Sequence, residues 1–457
     1  MRTPESIEHV KVIGSGLVGS MLSMYLARRG FEVEVFERRP DMRKETISAG
    51  RSINLALSTR GIHSLERLGL ADAVLAQAIP MKGRVMHAVD GALSYQPYGK
   101  NDDECIYSIS RGELNKTLLT HAEATGRVTI RFRHRATSVD LDEATLECID
   151  EATGLTKTVS GDMIFGTDGS ASALRAAMRS RPGFVQTEDV LSYGYKEFHI
   201  PPTADGGFQL EKNALHIWPR GTFMLIALPN FDGSFTCTLF LPWTGELSFE
   251  TLQEPAAVES FFSAYFADVV PLLTDVTGTF FKNPTGQMVT VKCAPWNVGD
   301  RALVLGDAAH AVVPFFGQGM NCGFEDCALL DDFIGANPEG WHRDLGTYAT
   351  NRKPDADAIA DMAVANFVEM RDKVGDPNFL LEKAIEKRLL NEFPGRFTSR
   401  YALVSFSRVP YRFAQEVGFV TDGILEELRH GVASADQVDL AVASSLIAQK
   451  LEPVLRK

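Results

Sequence analysis

The chain of 457 residues is too long for one hydrophobic core, and its 45% hydrophobic and 23% charged residues place it among globular proteins of two or three packed units. A formal charge of −13 argues against a nucleic-acid partner, which needs a basic surface, but leaves room for a local basic pocket that takes a small carboxylate. The six cysteines form no CxxC pair and no cluster with zinc spacing, so reduced thiols, no metal and a cytoplasmic setting are expected.

The opening MRTPESIEHV is too polar for a signal peptide, and no run of 18 apolar residues follows that could span a bilayer. A β-rich run from Val10 to Ile13 leads into Gly14-Ser15-Gly16-Leu17-Val18-Gly19, then a helical pattern to Arg29, a stop at Gly30 and a second strand from Phe31 to Glu37. Strand, GxGxxG, helix, strand and acid in that order predict a βαβ unit that binds a dinucleotide. Gly14 permits the tight turn, Gly16 lets backbone approach a pyrophosphate, and Gly19 lets the helix pack on the strand. The pyrophosphate would sit on the helix N-terminus, and Glu37 would accept from ribose hydroxyls. A carboxylate there disfavours a 2′-phosphate, so FAD or NAD is expected over NADP.

Residues 162–178, DMIFGTDGSASALRAAM, read as a strand, then Asp168-Gly169, then a helix with Arg175. Between about 181 and 290, runs such as GYKEFHI, ALHIWP, TFMLIALPN and SFTCTLFLPW are broken by Pro, Gly and Asn, which predicts antiparallel strands. RALVLGD then returns to the α/β pattern and ends on Gly306-Asp307, with AAHAVVPFFGQGMN behind it. Asp307 would lie at the sheet's carboxyl edge beside a long cofactor, with glycine-lined backbone up against it. Beyond 345 the texture is helical, with DADAIADMAVANFVEMRDKV as a long amphipathic stretch and a break at NEFPGRFTSRY. The expected architecture is α/β: a Rossmann-like FAD-binding domain interrupted by an antiparallel β-sheet substrate domain, plus a helical C-terminal cap. Its expected parts are 1–180, with an excursion into the substrate domain near 70–100, then 181–290, 291–350 and 351–457.

The ordered GxGxxG, DG and GD motifs resemble the class A flavin-dependent aromatic hydroxylases with the p-hydroxybenzoate hydroxylase fold, over roughly residues 8 to 350. Longer stretches resemble one branch, the kynurenine 3-monooxygenases of soluble bacterial type: GRSINLALSTRG (50–61), QPYGKNDDECIYSISRGELN (96–115), NALHIWPRG (213–221), VPFFGQGMN (313–321), NFVEM (366–370) and RYALVSFSRVPY (400–411). The resemblance implies bound FAD, transient NADPH, and O2 as co-substrate, with L-kynurenine converted to 3-hydroxykynurenine through a flavin hydroperoxide. No protein side chain is then expected to be catalytic. The family's carboxylate-holding positions fall on Arg84 and Tyr98, its cap contacts on Asn366 and Tyr401, and its apolar walls on Leu215, Ile226, Leu228, Phe240, Phe315 and Phe316. Its cofactor contacts fall on Gly14, Gly16, Leu17, Val18, Gly19, Glu37, Arg38, Arg39, Ala56, Arg111, Ala136, Asp168, Asp307, Gly319, Met320 and Asn321.

Plainer roles exist for several of these residues. Arg84 on its own could be a solvated charge, Tyr98 and Tyr401 core tyrosines, and the Phe pair ordinary core. His310 is expected to be structural, because this hydroxylation needs no base there. A hydroxylase of another aromatic acid, such as salicylate or anthranilate, and a non-catalytic FAD-binding protein stay open as alternatives. The sequence leaves room for a homodimer and does not locate the NADPH contacts.

Overall fold

The computed structural model describes residues 7–45, 54–99, 104–369 and 376–456. Parts of the quoted stretches, at 1–6, 50–53, 100–103 and 370–374, lie outside the described residues, as does Lys457.

A six-stranded sheet runs in the order Asn297–Val298, Ala302–Val304, Met163–Gly166, His9–Ile13, Glu32–Glu37, Val128–Phe132. Its pairs are parallel except the hairpin at one edge. Val10, Val12, Ile164, Phe165, Leu303 and Val304 are at most 1% exposed, the near-continuous burial that a parallel sheet covered on both faces demands. Helix Leu17–Arg28 covers one face and joins helix Gly319–Ala336 in the largest apolar core. Four turns meet at the carboxyl edge: Gly14, Glu37, Thr167-Asp168 and Gly306-Asp307 follow or end four neighbouring strands. That edge is where open α/β sheets bind ligands.

A second sheet of seven strands runs Gly286–Ala294, Val185–Ile200, Phe235–Pro242, Phe223–Pro229, Ala214–Arg220, Gly83–His87, Leu93–Pro97. It is antiparallel but for one pair: Ala214–Ile217 lies parallel to Gly83–Met86 because the latter arrives from the early excursion. The period of two sorts its side chains by face. Phe223, Leu225 and Ala227 join Phe198, Trp218, Phe235 and Leu239 in a core closed by helices Pro255–Tyr265 and Val276–Lys282. Neither helix was expected from the β-rich texture of this region. Met224, Ile226 and Leu228 face the other way, toward the FAD-binding side.

The C-terminal region is helical. Helix Leu345–Val368 packs on helix Tyr411–Arg429, and Pro377–Glu392 and Arg400–Phe406 lie between the two in the chain. Ile385, Leu389, Val417, Ile424, Ile447 and Leu451, each 0% exposed, form a core of their own. No helix among the described residues is long and apolar enough to cross a membrane.

Candidate active site

The first turn shows why its glycines are needed. Gly14 has φ 91°, and a Cβ there would lie 2.9 Å from the Asp168 Cα. Gly19 is tighter: a Cβ would lie 1.9 Å from the Gly14 carbonyl oxygen and 2.5 Å from Thr167 Oγ1. The Thr167 hydroxyl donates to the Ile13 and Gly14 carbonyls, each at 2.9 Å, and so pins the turn to the neighbouring strand. Leu17 is buried at the helix start and Val18 partly buried, its methyls pressed against Gly306 and Gly323. The fingerprint helix and the Gly306-Asp307 turn are therefore in direct contact.

Glu37 is 4% exposed. It accepts the Ser15 N–H at 2.9 Å and pairs with Arg39 at 2.8 Å. Burial works to raise its pKa, but the Arg39 guanidinium and the N–H donors outweigh it, so Glu37 stays below the usual carboxylate range. Arg38 and Arg111 are exposed, Arg111 opening helix Arg111–Ala124. From that helix Asn115 donates to the Ser15 carbonyl at 3.2 Å, a tie to the fingerprint loop.

The other turns supply the rest of the edge. Asp168 accepts the Ala173 N–H at 2.6 Å through one oxygen, while its other oxygen is buried without a partner. Burial raises its pKa. Asp307 is exposed at the head of a short helix, after Gly306 at φ 57°. Met320 is 9% and Asn321 0% exposed. The Asn321 side chain accepts the Ser58 N–H at 2.9 Å and donates to the carbonyls of Ala56 at 2.8 Å and Gly317 at 2.9 Å. It thus welds strand Asn54–Leu57 to the loop before Gly319, leaving its backbone as the part that can face a ligand. Ala136 sits on strand His134–Asp140 of a separate three-stranded sheet, paired with Cys148.

These features fit a bound dinucleotide. A Cβ on Gly16 would meet nothing within 4 Å, so open space lies above the helix N-terminus. Asp168 and Asn115, on two elements that meet the fingerprint turn, each carry a buried side-chain oxygen without a hydrogen-bond partner. Unpaired buried acceptors are costly and are normally met by water or ligand.

On the second sheet Arg84 stands opposite Leu215, beside Tyr98. The Tyr98 and Tyr401 rings stack at 5.4 Å and 13°, and the Arg84 guanidinium lies 5.1 and 5.0 Å from their centroids. Arg84 is only partly exposed. Among the described residues it has no carboxylate within ion-pair distance, unlike the paired Arg60, Arg175 and Arg352. Burial chiefly raises the Tyr98 pKa, so that hydroxyl is a neutral donor.

Around this cation the predicted apolar residues fall into two abutting clusters. Tyr98, Leu215, Ile226, Leu228 and Ala56 form one. Ile226 also belongs to the other, with Phe240, Phe315 and Phe316. Phe316 stacks on Tyr401 at 5.8 Å, Phe240 meets Phe315 at 5.0 Å, and Asn366 donates to the Phe315 carbonyl at 2.5 Å. Beside Phe240 a small cavity of about 10 Å³ is lined by Tyr193, Met224 and Phe367, which sequence patterns did not single out. The arrangement is a substrate chamber in outline: one cation without a carboxylate partner among the described residues, two tyrosine hydroxyls and apolar side chains packed around them, next to a dinucleotide cradle. Such a chamber suits an amphiphile with a carboxylate at one end and an aromatic ring at the other.

Behind the Gly306-Asp307 turn, His310 is 2% exposed and bonds Asp326 at 2.6 Å. Burial opposes its protonation, but the Asp326 carboxylate outweighs this and holds the imidazole charged. His310 is thus structural and sits away from the chamber.

The FAD binding domain family model matches residues 8–363. Kynurenine 3-monooxygenase of Myxococcus xanthus is 58% identical over 98% of this chain and 96% of its own length. The enzyme of that name from Dictyostelium discoideum is 42% identical over 97% of this chain and 98% of its own. Among solved structures, the tetrameric form of 2-methyl-3-hydroxypyridine-5-carboxylic acid oxygenase superposes with a TM-score of 0.65 at 21% identity, covering 81% of this chain and 95% of that one. With an FAD binding domain over most of its length and relatives this similar from end to end, the chain belongs to the kynurenine 3-monooxygenase family.

Proposed function

We propose that this protein hydroxylates L-kynurenine to 3-hydroxy-L-kynurenine, using NADPH and O2 at bound FAD. The observation that carries this reading is Arg84, a guanidinium with no carboxylate partner among the described residues, set beside two stacked tyrosine rings next to an apolar cluster. Kynurenine is a zwitterion with an aniline ring, so it needs one cation, a few neutral donors and aromatic walls.

In this reading the turn at Gly14, Gly16 and Gly19 with Leu17 and Val18 takes the pyrophosphate, and Glu37, Arg38 and Arg39 take the adenosine ribose end. Arg111, Asp168 and Asp307 line the stretch between, while Ala56, Gly319, Met320 and Asn321 present backbone to the flavin ring. When bound, FAD supplies the redox chemistry, carrying electrons from NADPH to O2. Arg84 grips the amino-acid carboxylate with two parallel N–H donors, and the Tyr98 and Tyr401 hydroxyls complete its shell. Leu215, Ile226, Leu228, Phe240 and Phe316 hold the ring and keep water out. Asn366 fixes the Phe315 carbonyl and with it the aromatic pair that continues into the flavin-facing loop. The ring's own amino group directs oxygen to the carbon beside it, so the protein needs no acid or base at that position. We place the reaction in the cytoplasm; all six cysteines are buried and outside any disulfide, as a reducing compartment favours.

The test follows NADPH oxidation by the FAD-loaded protein with and without L-kynurenine, with the product weighed by mass spectrometry. Stimulated oxidation with a matching amount of product heavier by one oxygen is expected. Stimulation that yields peroxide alone would mean that kynurenine mimics another aromatic acid. No stimulation would refute the proposal.

A further inference from the structure

The chamber is built by two parts of the chain that are remote in sequence: Arg84 and Tyr98 from the early excursion, and Tyr401 from helix Arg400–Phe406 in the C-terminal region. Something must hold that short helix against the rest. Arg60, in helix Thr59–Leu68, is 1% exposed, which for an arginine demands several partners. Its guanidinium donates to the Val404 carbonyl at 3.4 Å and the Val409 carbonyl at 2.5 Å, and lies 3.8 Å over the Tyr411 ring. Val404 shares a helix with Tyr401, one turn on, so Arg60 holds the element that carries the chamber's tyrosine.

On its other side Arg60 pairs with Glu325 at 2.7 Å. Glu325 pairs with Arg352 at 3.0 Å, and Arg352 with Asp326 at 2.8 Å. Asp326 accepts the Gly306 N–H at 3.1 Å and bonds His310 at 2.6 Å, bracketing the turn that presents Asp307. Tyr411 adds a parallel strut, donating to Gln318 at 2.9 Å, immediately before Gly319. A continuous buried chain of charge pairs therefore runs from the cofactor turn to the helix of Tyr401.

We infer that Arg60 is a positioning residue for substrate: it docks the C-terminal helix Arg400–Phe406 onto the FAD-binding domain and so sets Tyr401 over Arg84. This deepens the kynurenine reading and rests on it for the identity of the ligand only. Arg60 lies in the stretch GRSINLALSTRG, where it was given no role of its own.

The test compares FAD-loaded Arg60→Met and Arg60→Lys with the parent. Methionine fills the space but gives up every donor, and Glu325 keeps Arg352 as its partner. Lysine can keep the Glu325 pair but not the flat stack on Tyr411 or the donors to both carbonyls. Hydrogen exchange over residues 400–411, measured without any substrate, should quicken in both variants, more in Met than in Lys, while exchange over the fingerprint strand and helix stays at the parental rate. L-kynurenine affinity, read from the flavin absorbance change, should weaken about tenfold in Arg60→Met, as for a helix docked about one tenth of the time, with Lys in between. Parental exchange at 400–411 in Arg60→Met would overturn the inference, as would faster exchange spread evenly over the whole chain. If Arg60→Met does not retain FAD, Arg60→Lys decides on the same readouts. A parent that does not respond to kynurenine refutes the functional reading alone, because the exchange measurement still judges Arg60.

Discussion

Replacing Arg84 with methionine separates a ligand-binding charge from a stability-giving one. The substitution keeps the length of the side chain and removes the guanidinium. Without ligand, Arg84 has no carboxylate partner among the described residues and is held by two tyrosine rings at 5.1 and 5.0 Å. Each such contact contributes about 0.5–1 kcal/mol at a partly exposed site. Keeping an unpaired cation half out of water costs a comparable amount, which methionine relieves. The two nearly cancel, so the free holoprotein should change by no more than about 1 kcal/mol, a melting shift of about 2 °C at this size. With kynurenine the balance differs, because the ligand carboxylate would enter a chamber that no longer holds a positive charge. Losing one side of such a pair costs about 2–5 kcal/mol, a fall in affinity of roughly 30-fold to several thousand-fold. The assay is a kynurenine titration followed by flavin absorbance, paired with a melting curve of the same sample. A Kd within about threefold of the parent, less than 1 kcal/mol, would remove Arg84 from the substrate site. A large drop in melting temperature would show that its role is structural.

Three other substitutions probe the cofactor side. Gly19→Ala would drive a methyl to 1.9 Å from the Gly14 carbonyl; the turn must open, so poor FAD retention and a stability loss of about 1–3 kcal/mol are expected by flavin content and denaturation. Glu37→Gln should weaken FAD retention, measured by dilution and ultrafiltration. Because the Glu37 pKa lies below its ordinary value, its ionised form adds stability that is complete above the ordinary carboxylate range and lost as the pH falls through the lowered value. The parent should therefore show an acid-side decline in melting temperature that Glu37→Gln partly lacks. Asp326→Asn strips the shared carboxylate from His310 and Arg352, leaving buried cations underpaired, and should cost about 3–5 kcal/mol in chemical denaturation.

How much was legible beforehand follows from the range over which each signal acts. The βαβ unit could be read directly, since the strand, GxGxxG turn, helix and Glu37 lie within 30 residues and each leaves a local period or a turn residue. The face assignment in the second sheet was implicit in alternation along TFMLIALP, where Met224, Ile226 and Leu228 part from Phe223, Leu225 and Ala227. Arg84, Tyr98, Tyr401 and Asn366 were picked out only through resemblance, because nothing in MKGRVMH or RYALVSF sets them apart from surface charge or core aromatics. Asn115, Arg60, Glu325, Asp326 and Arg352 were not picked out at all. Asn115 and Arg60 act through partners 100 to 349 positions away, and Asp326 and Arg352 through partners a whole element or more away, each an ordinary polar residue on a helix, and no local pattern encodes such a partner. The two helices of the β-rich domain were missed for another reason: their Phe-rich stretches carry the same composition as the strands they cover.

The interleaving of the two sheets has a consequence for how the protein comes to exist. Strand Gly83–His87, which bears Arg84, waits for its parallel neighbour Ala214–Arg220 to leave the ribosome, and strand Met163–Gly166 waits for Ala302–Val304. Tyr401 arrives later still. Neither sheet can close on its own part of the nascent chain, so unpaired β edges stay exposed through most of synthesis. Such late, long-range pairings are slow and open to aggregation. The binding chamber is accordingly a product of the finished chain, and cutting the gene at any apparent domain border would yield fragments that lack one of its walls.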